Sequence, residues 1–133
     1  MSKDFDLEQY RLPPDWRQRQ RERDDHAAKE YWCTHERANS SAFLDSAPWQ
    51  RLRMQVLINY GSRCMRCGWS PGSGSVNDLQ AIYETYLCVD HIKPRRYRPD
   101  LALDFENLQV LCNKCNYHKG NDDWTDWRNG HER

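Results

Sequence analysis

Two Cys-x-x-Cys pairs, Cys64-Met65-Arg66-Cys67 and Cys112-Asn113-Lys114-Cys115, limit what this chain can become more than any other feature. The spacing lets both thiols of a pair reach a single ion. Four thiolates suit tetrahedral Zn²⁺ in a closed structural site, with no position left for chemistry. Residues 68–111, 44 in all, separate the pairs, against about 15–20 in an ordinary double knuckle. The insert must therefore hold structure of its own. Six cysteines could also be read as three disulfides. The pair spacing opposes that, as does an opening segment, Met1-Ser2-Lys3-Asp4-Phe5-Asp6, without the apolar run of a signal peptide.

A staple is needed in any case. The 133 residues suffice for one domain with an appendage. Only 38% are hydrophobic against 30% charged, with mean hydropathy −1.10, so the core is thin and a metal must compensate for it. Aromatic residues at 12%, six of them Trp, argue against disorder. The formal charge is zero, so contact with nucleic acid must come from local patches. No run approaches the roughly 20 apolar residues of a membrane helix. The expectation is a soluble, cytoplasmic protein.

Residues 1–45 read as a charged, helical N-terminal arm and residues 46–133 as the domain proper. A helix is expected from Asp15 to about Tyr31. Its alternating charges suggest a solvated face, although Arg17, Arg19, Arg21 and Arg23 could form a DNA-contacting arm. Cys33 and His35 lack a second pair and read as bystanders, and Cys88 reads as a small buried hydrophobe. Ser46-Ala47-Pro48 restarts the chain with a cap and an early proline. Trp49, Leu52, Val56 and Tyr60 then recur at helical spacing up to Gly61. Gly68 lets backbone amides turn toward the sulfurs of the first knuckle. Ser70 to Ser75 is a loop, and Leu79 to Val89 is rich in β formers. A strand over Tyr86–Val89 should run into Asp90-His91, a second should cover Leu108–Leu111, and a helix should begin near Cys112 and stop at Gly120. Trp124 and Trp127 should fold back on the domain.

Val89-Asp90-His91-Ile92-Lys93-Pro94, followed by Asn107-Leu108-Gln109-Val110-Leu111-Cys112 and Cys115-Asn116, resembles the HNH endonucleases with the ββα-metal fold. The resemblance runs from about Trp49 to Arg128 and is strongest over 89–121. Thr125-Asp126-Trp127-Arg128 is similar to bacterial and phage-borne members. The fold implied is α+β: a small zinc-stabilised ββα-metal domain preceded by a helical N-terminal segment.

By that resemblance His91 is the general base, Asp90 and Asn116 offer oxygens to a catalytic divalent metal, and Asn107 fixes the loop and orients His91. An imidazole near neutrality can deprotonate water, and carboxylate and amide oxygens suit Mg²⁺ or Mn²⁺. His118 is an alternative ligand. A step of two residues on a helix turns about 200°, so Asn116 and His118 cannot both face one metal, and Asn116 is preferred. Neighbours on a regular strand point opposite ways, so Asp90 and His91 should share a site only where the strand is distorted. Phosphate contacts are expected from Lys93, Arg95, Arg96, Arg98 and Lys119, although a merely solvated basic loop is the competing reading. The function implied is weakly specific or nicking cleavage of DNA. The alternatives are a non-catalytic zinc-stabilised DNA-binding module and an accessory partner of a phage terminase or packaging complex.

Overall fold

The computed structural model describes residues 12–72 and 85–129. The expected loop beyond Gly72 and the β-rich stretch from Leu79 fall largely outside these residues. Helix α1 (Trp16–Trp32) follows Asp15 as expected, but the Asp15 carboxylate makes no cap and instead pairs with Arg19 at 2.8 Å. None of its 17 residues is buried, as its alternating charges require. Ala28 and Trp32, near its end, lean on the core. Two short helices follow, α2 (His35–Ala38), capped by Thr34 Oγ1, and α3 (Ser41–Asp45). They bring Ala38 and Phe43 into the core with no exposure. There they pack with Trp49 and Val56 of the following helix.

Helix α4 (Ala47–Tyr60) begins where Ser46 Oγ accepts from the Trp49 amide, and it ends at Gly61, whose φ of +86° is open to glycine. Trp49 and Val56 form its buried face, with Leu52 and Leu57 half-buried beside them. The knuckle comes next and is tied to the sheet by the Met65 amide on the Val110 carbonyl at 2.8 Å.

Strands β1 (Leu87–His91) and β2 (Leu108–Cys112) pair antiparallel in an unbroken register that sets Asp90 opposite Gln109 and His91 opposite Leu108. Helix α5 (Asn113–Lys119) starts directly from Cys112, whose sulfur accepts from the Cys115 amide, and stops at Gly120. Alternation along the strands divides the molecule. Val89, Leu108 and Val110 face the core with Phe43, Trp49 and Val56, while Leu111 joins Cys64, Cys112 and Cys115 in a second cluster. A mixed structure of helices and one small sheet, with a four-cysteine cluster, is the α+β architecture expected.

Candidate active site

The sulfurs of Cys64, Cys67, Cys112 and Cys115 lie within 4.8 Å of one another, the one such cluster among the described residues. Zinc–sulfur bonds of about 2.3 Å imply a tetrahedron with edges of about 3.8 Å, and Cys67 and Cys112 already stand 3.8 Å apart. Burial raises the Cys64 thiol, but the backbone amides of Cys67, Cys112 and Arg66 outweigh it and bring it down to about 7. Burial and the neighbouring thiols push Cys115 well up. Such a donor set is positioned to hold a metal ion, and all-sulfur ligation suits zinc.

Three of the four residues expected at the catalytic centre line a separate cleft of about 950 Å³, whose walls include Trp49, Asp90, His91 and Asn116. Every residue from Tyr86 to His91 lines it, which places it along the outer edge of β1. The edge position answers the facing problem. All five residues of β1 keep regular register, so no distortion brings Asp90 and His91 together. A cleft along a strand edge receives side chains from both faces.

Each of the two is fixed differently. His91 Nε2 lies 2.8 Å from the Ala102 carbonyl. A carbonyl only accepts, so Nε2 carries the proton and Nδ1 keeps the lone pair of the neutral ring. Trp49 is stacked on the imidazole, and Phe43, itself against Trp49, lies at 6.0 Å with its ring tilted. Burial lowers its pKa to about 4, with the Arg95 and Lys119 charges pushing the same way and the Ala102 bond opposing them. Asp90, on the opposite face, takes Gln109 Nε2 at 2.9 Å and Lys119 Nζ at 3.0 Å, both on Oδ2. Burial raises its carboxyl, and these two donors pull it back.

Asn107 is buried at the turn behind them. Its Oδ1 accepts from the Lys93 amide at 2.9 Å, and its Nδ2 donates to the carbonyls of Lys93 and Leu101 at 3.1 and 3.3 Å. These bonds tie the segment after His91 to the residue preceding Ala102, the acceptor for His91. Asn116 lines both the cleft and a neighbouring recess, whereas exposed His118 lines only the recess.

Residues 64–122 match the family model described as HNH endonuclease. This stretch is an HNH endonuclease domain. No curated protein and no solved structure matches the chain. The matched residues supply all four thiols, Asp90, His91, Asn107 and Asn116. The HNH domain does not close its own site, however. Trp49, Phe43 and Ala38 precede it, and Thr125 and Trp127 follow it.

The expected phosphate contacts need correction. Lys119 is not a surface cation. Its side chain is 1% exposed and is spent on Asp90 and on the carbonyls of His91 and Ile92 at 2.9 and 3.2 Å. The helix face that carries it turns inward toward β1, where the buried Asp90 carboxylate needs a partner. Arg95 is half-buried, its guanidinium bound to the Ala38 carbonyl at 2.6 Å and set over the Phe43 ring. It fastens the HNH domain to the preceding helices. Arg98 is held by both oxygens of Asp100. Arg96 is exposed and Lys93 half-exposed beside Trp124. Cys88, expected to be a buried small hydrophobe, is half-buried and lines the cleft.

Three contributors were not singled out from the sequence. Trp49 was read as an ordinary core position of its helix, and nothing local marks the Ala102 carbonyl. Gln109 did leave a signal, a polar residue within an otherwise apolar strand, which demands buried partners.

Proposed function

We propose that the protein is a metal-dependent DNA endonuclease that hydrolyses phosphodiester bonds with little sequence preference, one strand at a time. The observation that carries this reading is the orientation of His91. With Nε2 donating to the Ala102 carbonyl, the neutral ring keeps its lone pair on Nδ1, and His91 lines the same cleft as Asp90 and Asn116. His91 Nδ1 takes the proton of the attacking water, and the Ala102 carbonyl steadies the imidazolium that results. Asp90 Oδ1, which has no partner among the described residues, and the Asn116 amide oxygen are hard donors fitted to Mg²⁺ or Mn²⁺. A divalent cation bound there supplies charge stabilisation at the phosphate and the leaving oxygen. Asn107 holds the turn that keeps His91 and Ala102 in register. Arg96 and Lys93 remain for phosphate contacts, with Arg53, which also lines the cleft. Zinc on the four cysteines holds α5 against the knuckle. The bare surface of α1 makes it the candidate docking arm for a larger assembly, such as a phage packaging complex.

The deciding assay incubates supercoiled plasmid with the protein and Mg²⁺ or Mn²⁺, beside His91→Ala and an EDTA control. Nicking by the wild type alone supports the proposal. Absence of nicking with every divalent metal, alongside retained DNA binding, favours a zinc-stabilised binding module instead.

A further inference from the structure

Gln109 is fully buried in the middle of β2, and its amide is used at both ends. Nε2 donates to Asp90 Oδ2 at 2.9 Å and to the Thr125 carbonyl at 3.0 Å, and Oε1 accepts from the Trp127 amide at 2.8 Å. The segment it grips is itself anchored. Arg128 pairs with Asp126 and donates to the Glu106 carbonyl, and Arg66 lies over the Trp127 ring at 5.6 Å. On Asp90, the second donor to Oδ2 is Lys119. Both donors hold the same oxygen, Oδ2, and a carboxylate gripped by two donors has less freedom to pivot than one gripped by one.

We propose that Gln109, braced by residues 125–127 beyond the family match, is a positioning residue that turns Asp90 Oδ1 toward the divalent cation. The inference rests on the reading of Asp90 as a ligand. The chain past the HNH domain is then part of the active-site support. Hydrogen bonds to a ligating carboxylate orient it and are worth about 10–100-fold in metal affinity. A Gln109 that only fastened the tail would leave that affinity untouched.

The test is a Mn²⁺ titration followed by electron paramagnetic resonance on the zinc-loaded full chain, with no activity required. Asp90→Ala should abolish the site. Gln109→Met, similar in shape but without donors, should weaken Mn²⁺ about tenfold with zinc content unchanged. Trp127→Pro removes the amide proton that Gln109 accepts, and it should bind Mn²⁺ several-fold more weakly than Trp127→Ala, which keeps that proton. If Gln109→Met binds Mn²⁺ as the wild type does while Asp90→Ala does not, the clamp is refuted and the role of Asp90 stands. If Asp90→Ala binds normally, the ligand reading fails and the clamp goes with it. Should Gln109→Met not fold, equal affinities in the two Trp127 variants would overturn the proposal.

Discussion

The indole of Trp49 lies stacked on the imidazole of His91, ring centroids 4.8 Å apart and planes 22° from parallel. One ring comes from α4, ahead of the HNH domain, and the other from the end of β1. The contact buries the proposed base on the face away from Asp90 and leaves the ring little freedom to turn. Trp49→Ala should cost about 3–5 kcal/mol in a urea titration, the range for deleting a buried aromatic. Trp49→Phe, which retains a stacking ring, should cost less and preserve more of the plasmid-nicking rate. Equal nicking by both variants would detach the ring from the chemistry.

Removing the imidazole should lower nicking by about 10²–10⁴-fold, the usual contribution of a general base. His91→Ala should keep its zinc, since none of the four thiols depends on the ring. Single-turnover rates normalised to zinc content make that measurement.

The acid stability of the fold should report the burial of His91. Its folded pKa, about 4, lies below the ordinary 6.5. Between those values the unfolded chain binds a proton that the folded chain refuses. The contribution is therefore complete above 6.5 and lost as pH falls toward 4, amounting to roughly 3 kcal/mol in full. Urea midpoints at pH 7.5 and 4.5, compared between wild type and His91→Phe, isolate the effect. Asp90, whose carboxyl is raised, acts in the opposite sense and is common to both proteins.

Asn116→Ala should reduce metal-dependent nicking by about 100-fold or more, and His118→Ala by no more than a few-fold. The cleft supports that order, since Asn116 lines it and His118 lines the recess beside it. The reverse result would move the ligand to His118.

Cys64→Ser or Cys112→Ser should release zinc and unfold the domain, because structural zinc contributes about 10–16 kcal/mol to folds that depend on it. Zinc content by mass spectrometry and far-ultraviolet circular dichroism read both effects. A folded, zinc-free variant would remove the metal frame.

Local signals reached far in this chain. Ser46 and Gly61 bound α4, Cys112 and Gly120 bound α5, and the two short strands stand where the β formers cluster, β1 running into Asp90-His91 and β2 directly after Asn107. These boundaries depend on a cap, a glycine or an alternation that a few residues contain. Spatial neighbours were less legible. Lys119 looked like a surface cation because its helix neighbours are polar, and only the approach of β1 makes it a buried partner of Asp90. Arg95 read as part of a basic loop, yet it closes on Ala38, 57 positions away. The facing of Asp90 and His91 was misjudged for a similar reason. Alternation along a strand is local, but whether a cleft opens on a face or on an edge is decided by what packs around the sheet.

The Arg95 link to Ala38 bears on how such a domain could be moved between proteins. Cutting at the limits of residues 64–122 would strip away Trp49 and Phe43 and expose one side of the His91 ring to water, while the Gln109 amide would lose both of its tail partners. A graft carrying only the recognisable motif would hold every residue proposed to act and still lack the walls that surround them. The smallest unit that keeps these walls begins near Trp32 and ends after Arg128.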